Sequence, residues 1–130
     1  MMIFEFAGAV RTIYMADQTE APADSWMGWS NGKWDGETLV VDTTGFNDLS
    51  WFDRAGNFHS EALHVVERFT RVGHDRIRYQ FTVDDPATWT SRWSGEVPLR
   101  RFDGPLYEYA CHEGNYGLPN ILSGARVLDK

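Results

Sequence analysis

The sequence predicts an all-β protein of about eight short antiparallel strands, closed or nearly closed into a small calycin- or lipocalin-like barrel, with a two-sheet β-sandwich as the alternative. Three observations carry this. Side chains alternate with period two: Ile77, Tyr79, Phe81 and Val83 interleave with Arg76, Arg78, Gln80 and Thr82, the pattern of a half-buried strand. Turn signals such as Asp35-Gly36, Gly73-His74-Asp75, Asp84-Asp85-Pro86 and Asp103-Gly104-Pro105 separate the alternating runs. No segment reads as a helix longer than about two turns. Short antiparallel strands satisfy their edges best by closure, and about eight of them enclose an interior filled by side chains or one small ligand.

The elements follow in order. Segments 3–6 and 10–15 flank Ala7-Gly8-Ala9 as a hairpin. Residues 26–34 form a strand ended by Asp35-Gly36, although Asn31-Gly32 offers a competing turn. The β-branched run Thr38–Thr44 is the next strand. Residues 45–60 form a long loop holding Phe46, Trp51, Phe52 and Phe58, the kind of loop that serves as a lid or covers a core. Strands follow at 63–72, 76–83 and 89–99. In the last, Trp89, Trp93, Val97 and Leu99 share a face, and Gly95 and Pro98 mark a bulge or edge. Residues 106–111 read as a final strand. Residues 1–113 are thus expected to form a single antiparallel β domain, and 114–130 an irregular C-terminal tail.

Composition narrows the function. The chain has 130 residues, 42% hydrophobic and 15% aromatic, too apolar for a disordered chain. Twelve Lys and Arg stand against 19 Asp and Glu, a net charge of -7. A phosphate backbone is repelled on average, so no nucleic-acid partner is expected. No run approaches the roughly 18 apolar residues of a membrane helix, so no membrane insertion is expected. The start lacks a basic leader region, and the chain as written reads as cytoplasmic. Cys111 is the only cysteine, which excludes an internal disulfide and a Cys-rich zinc site. Gly-rich phosphate loops and a Gly-x-Ser-x-Gly elbow are absent, so no nucleotide cofactor is expected. The remaining partners are a small-molecule ligand or substrate and, in a homodimer, a second copy.

Candidate chemistry centres on Glu67. Leu63, Val65, Glu67 and Phe69 share one strand face, and a carboxylate in an apolar row is costly unless paired. Burial suits it to acid or base work. The structural reading is an ion pair with an arginine of a neighbouring strand. A register shifted by one residue would instead turn His64 and Arg68 inward. His59, Glu61 and His64 form a second cluster, in which His59 or His64 acts as base, oriented by Glu61 or Asp53. The plain reading is hydrogen bonds that order the start of the strand. No metal is expected, the weak alternative being a divalent ion such as zinc on His59, Glu61 and His112. Tyr79 is a candidate donor to a developing oxyanion. Asp84-Asp85-Pro86 reads as a turn and Cys111 as packing. Trp26, Trp51, Trp93 and Tyr107 are the aromatic residues expected at a ligand site.

Several blocks also carry a resemblance. They are Trp26-Met27-Gly28 through Thr38-Leu39-Val40-Val41, Gly45-Phe46-Asn47-Asp48, His59-Ser60-Glu61-Ala62-Leu63-His64-Val65-Val66-Glu67-Arg68-Phe69, Val83-Asp84-Asp85-Pro86, and Tyr107-Glu108-Tyr109-Ala110-Cys111-His112-Glu113-Gly114-Asn115. Together they resemble a large family of uncharacterised proteins from soil and environmental bacteria, over nearly the whole chain. The resemblance implies a longer N-terminus, a periplasmic or exported location, and a shortened form here. It implies no reaction. The expected function is a cofactor-independent small-molecule enzyme, a hydrolase or else an isomerase or lyase. The alternatives are a non-catalytic ligand-binding barrel and a structural domain of a longer exported protein.

Overall fold

A computed structural model describes residues 1–16, 19–110, 113–114 and 116–128. Among these, eight strands and one α-helix form: β1 (Met2–Ile3), β2 (Val10–Arg11), β3 (Ile13–Tyr14), β4 (Trp29–Asp35), β5 (Thr38–Thr44), β6 (His64–Arg71), β7 (Arg76–Asp84), β8 (Trp93–Arg100) and α1 (Gly117–Leu128). β1 and β2 make a two-stranded hairpin, and β3 to β8 make a six-stranded sheet in sequence order. The chain is mostly β, as the alternation requires.

Neither sheet closes. β3 and β8 are free edges of the larger sheet, so the expected barrel closure is not seen. The first two strands pair with each other and with no strand of the larger sheet. Pro98 and Gly95 weaken β8 as a template for further pairing. The sheet is also not wholly antiparallel, because Ile13 and Tyr14 run parallel to Ser30 and Asn31. Residues 106–110 form no strand, and Cys111 lies outside the described residues.

The register sets the faces. Gly32, Val41, Glu67, Phe81 and Gly95 lie directly across from one another, and Trp34, Leu39, Phe69, Tyr79 and Val97 form the next row. This is the apolar face. The opposite face carries Asp42, His64, Arg68, Gln80 and Glu96. The competing turn at Asn31-Gly32 is resolved inside β4. A Cβ on Gly32 would sit 2.6 Å from Ile13 Cγ2, so glycine there admits β3 rather than a turn. The chain reverses instead at Gly36-Glu37, where Asp35 pairs with Thr38 and Gly36 adopts φ 59.

The N-terminal hairpin crosses the apolar face. Arg11 reaches Ser30 and Glu67, and Met2 borders Trp34, Leu39 and Phe69. Cover is partial. The surface is 10105 Å², where a compact chain of 14.9 kDa would expose about 7,000 Å². Trp34 and Val97 stay 65% and 43% exposed.

The tail expected to be irregular over 114–130 holds α1. Leu118, Ile121, Leu122 and Ala125 recur at helical spacing, a period masked by neighbouring Gly, Pro and Asn. Pro119 lies in the first turn, where its missing N–H removes no bond. No helix among the described residues is long and apolar enough to cross a membrane.

Gly95 lets the Phe81 ring lie flat on β8. A Cβ there would meet Phe81 Cζ at 2.5 Å, and that ring is wedged against Trp93 at 5.7 Å. Gly95→Ala is expected to lower stability by about 1–3 kcal/mol in urea unfolding, with no change in m-value.

Candidate functional site

Glu67 is buried at 5% exposure in the middle of the apolar row, in the register that faces it inward. Its two oxygens are both engaged. Arg11 pairs with Oε2, and the Tyr79 hydroxyl donates to Oε1 at 2.8 Å. Arg11 Nε also donates to Ser30 Oγ at 3.0 Å, and Ser30 shares a hydrogen bond with Thr43 at 3.0 Å. The cation comes from β2, which is not a sheet neighbour of β6. Burial, followed by the Glu67 hydrogen bond and charge, drives the Tyr79 hydroxyl far above its ordinary pKa. Tyr79 therefore holds its proton, and it directs that proton to Glu67 rather than to a ligand.

The long loop builds a second centre. Ser25 and the loop start are stitched together, with Ser25 N–H donating to Gly45 O at 2.9 Å and Asn47 N–H to Ser25 O at 3.0 Å. Trp51 and Phe58 bridge across the loop tip. Inside it His59 is buried at 5%. Its Nδ1 lies 3.1 Å from the Ser60 carbonyl oxygen and its Nε2 lies 3.0 Å from Ser50 Oγ. A carbonyl only accepts, so Nδ1 carries the proton. In the neutral ring Nε2 is then the acceptor for the Ser50 hydroxyl. This is a hydroxyl–imidazole pair whose ring is oriented by a third group.

Asp85 anchors that arrangement. Its carboxylate, 1% exposed, accepts from Ser60 N–H and Ser60 Oγ at 2.7 Å each, from Thr88 Oγ1 at 2.8 Å and from Ala87 N–H at 3.2 Å. Asp85-Pro86 is thus the turn the sequence predicts, since Thr88 and Trp89 amides also bond to Asp85 O. It is also a latch between that turn and the residue after His59. Burial alone would raise the Asp85 pKa, but the Ser60 and Thr88 hydrogen bonds outweigh it and hold the carboxyl below its ordinary value of 3.8.

Two clefts meet between this loop, the Trp26 segment and the sheet. One, about 200 Å³, is lined by Arg11, Trp26, Met27, Thr43, Phe46, Val65 and Glu67. The other, about 190 Å³, is lined by Trp26, Phe46, Ser50, Trp51, Phe52, His59, Leu63 and Val65. They share Trp26, Phe46 and Val65. Ser50 was not singled out in the sequence, where nothing nearby marks a hydroxyl as a nucleophile; only the fold around His59 does.

The other candidates are dispersed. His64 lies on the polar face, 3.0 Å from Asp42 Oδ1, not beside Glu61. Glu61 is exposed and makes no hydrogen bond or ion pair among the described residues. Asp53 does not orient a histidine. It accepts from Asn57 Nδ2 at 2.6 Å and from the Ala55 amide at 2.8 Å, which shapes the loop tip and, through the Asn57 side chain first, lowers its own pKa. Trp26 and Trp51 border the clefts at 60% and 74% exposure. Trp93 lines neither cleft and stands edge-on to Phe52 at 5.8 Å. Tyr107 lines neither cleft, and its amide donates to Glu5 Oε1 at 2.8 Å. Of the weak metal set, His112 lies outside the described residues, and both His59 nitrogens are occupied. Among the described residues no three His, Cys, Asp or Glu side chains converge.

Two outcomes are expected. Arg11→Met leaves Glu67 buried without its cation and should cost about 3–5 kcal/mol in chemical unfolding. Because the folded pKa of Asp85 lies below its ordinary value, its stabilisation is present above about pH 4 and fades as pH falls further. Asp85→Asn should lose about 2 kcal/mol at neutral pH and show a flatter stability profile below pH 4, measured by thermal melts.

Comparisons of the chain with protein-family models, with curated proteins and with solved structures gave no match, so the chemistry of this site rests on its own geometry.

Proposed function

We propose that the protein is a cofactor-independent hydrolase of small aromatic or cyclic acyl compounds, with Ser50 as nucleophile and His59 as its base. The observation that carries this reading is the 3.0 Å contact from Ser50 Oγ to His59 Nε2 on the wall of an aromatic cleft. The substrate's ring lies against Trp26, Phe46 and Trp51, and its carbonyl carbon faces Ser50. The Ser50 proton passes to His59 Nε2 as Oγ attacks. Collapse of the tetrahedral intermediate expels the leaving group, which takes that proton from His59. Water then attacks the acyl-serine, with His59 again accepting a proton, and Ser50 is restored. The Ser60 carbonyl holds the ring tautomer, and Asp85 is a positioning residue through Ser60. A neutral carbonyl stabilises the imidazolium less than a carboxylate would, so turnover slower than that of an acid triad is expected.

The reading uses a cleft between loop and sheet and needs no closed barrel. Glu67 takes the structural role, with Arg11 and Tyr79 as its partners. A second reading, a non-catalytic ligand-binding cleft, is favoured by the exposed aromatic rims at Trp26 and Trp51.

One experiment separates them. A fluorophosphonate probe should label the wild type at Ser50, located by peptide mass, and p-nitrophenyl acetate hydrolysis should fall by at least about 1,000-fold in Ser50→Ala. A folded Ser50→Ala that hydrolyses the ester as fast as wild type, or a wild type that the probe leaves unlabelled, overturns the nucleophile and leaves the binding cleft.

A further inference from the structure

We infer that the protein is a homodimer in which helix α1 of each copy lies on the open apolar rows of the other copy's sheet. The contact is reciprocal, so a single two-fold axis closes it. It is independent of the hydrolase reading, because no residue lining the Ser50 or Glu67 cleft takes part.

The sheet lacks a cover at one end. Trp34, Leu39, Phe69, Ile77, Val97 and Leu99 share the apolar face in two adjacent rows, beside the turns that join β4 to β5 and β6 to β7. Met2 of the hairpin borders part of them, yet Ile77 and Leu99 are each 39% exposed and Trp34 is 65% exposed. A contiguous apolar face of this kind marks an interaction surface. The chain exposes 10105 Å², where a compact one of its mass would expose about 7,000 Å². A stable dimer takes about 800 Å² from each partner, so the surplus is ample.

The helix lacks a floor. Leu118, Ile121, Leu122, Ala125 and Leu128 form one stripe along α1, and no residue of that helix is buried. A helix of 12 residues is marginal in water even when built from the best helix formers. This one contains Asn120, Ser123 and Gly124, which are weak ones. Tertiary packing has to hold it. A bare apolar sheet face and a bare apolar helix stripe are the two layers of an α+β arrangement. Charge agrees with this pairing. Arg126 is the one charged residue of α1. Glu37 borders the cleft of Trp34, Leu39 and Phe69, and its carboxylate has no hydrogen bond or ion pair among the described residues. Arg71, the cation of the same cleft, already gives Nε to Gly73 O and Nη2 to His74 O.

The path of the chain assigns the helix to a second copy. After β8, Tyr107 N–H donates to Glu5 Oε1 at 2.8 Å, and the Tyr109 ring lies 5.1 Å from that of Phe6. Arg54, from the tip of the long loop, stands 5.7 Å over the same Phe6 ring. The segment that leads into α1 is thus pinned on the loop side of the molecule. The bare rows lie at the opposite end of the strands, and α1 buries nothing against its own sheet.

Sedimentation equilibrium on the full chain tests this. The wild type should sediment at twice 14.9 kDa, with a Kd of about 1 μM or tighter. Trp34→Glu and Ile121→Glu, at positions 65% and 70% exposed, should each weaken the dimer at least about tenfold, because each spoils both contacts. An equimolar mixture of the two variants should dimerise at least about tenfold more tightly than either alone, since it keeps one intact helix on one intact sheet. Leu49→Glu, as exposed but on the long loop, should dimerise like the wild type. Val97→Glu and Leu118→Glu serve if either first variant melts early. A wild type that stays monomeric at about 100 μM overturns the proposal, whether or not α1 folds back onto its own sheet. So does equal loss in Leu49→Glu, or a mixture no tighter than its components. A dimer lost in Trp34→Glu but kept in Ile121→Glu overturns it as well, and would mark sheet-on-sheet contact instead.

Discussion

A carboxylate buried in the middle of an apolar sheet row is the constraint around which this protein is organised. Glu67 cannot sit there without a cation and a donor. The sheet itself supplies only the donor, Tyr79. The cation, Arg11, arrives from the N-terminal hairpin, 56 residues away in sequence. One ion pair thus draws the hairpin across the sheet and positions Arg11 against Ser30 and Thr43. It also fixes one wall of the cleft that Trp26, Met27 and Phe46 complete.

A second buried carboxylate does comparable work for the long loop. Asp85 holds Ser60 by both its amide and its hydroxyl, and Ser60 in turn fixes the ring of His59. A loop of aromatic residues without such an anchor would settle onto the sheet in many ways. With it, one imidazole nitrogen is pinned to a carbonyl and the other is presented to Ser50. The polar groups of this loop are therefore satisfied in pairs, and no buried side-chain polar atom among the described residues lacks a partner.

Strand identity was legible because it is a local property. Thr38–Thr44 is the strand its β-branched run predicts, Arg76–Asp84 follows its alternation, and the inward parity of Glu67 follows from Leu63, Val65 and Phe69. The Asp85-Pro86 turn was equally plain. The helix at Gly117–Leu128 was not, since glycine, proline and asparagine obscure its apolar stripe. The site was legible only in part. His59 and Tyr79 stand out as residue types, but their partners do not. His64 found Asp42 rather than Glu61, because residues three apart on an extended chain point to opposite faces, while Asp42 and His64 are diagonal neighbours on one face of two paired strands. Asp53 was drawn into its own turn, the usual fate of an exposed aspartate beside glycine and asparagine.

The sequence by itself determined that the chain is mostly β, where the central strands from Thr38 to Asp84 run, which of their faces is apolar, and that a carboxylate would lie among hydrophobic neighbours. Period, parity and turn chemistry are written in adjacent residues, and adjacent residues are enough to read them. Tertiary structure alone decided that the sheet stays open, that Arg11 answers Glu67, and that Ser50 meets His59. Each of these depends on the path of the chain between distant segments. That path follows from loop closure, edge pairing and the cost of burying charge, none of which a local pattern records.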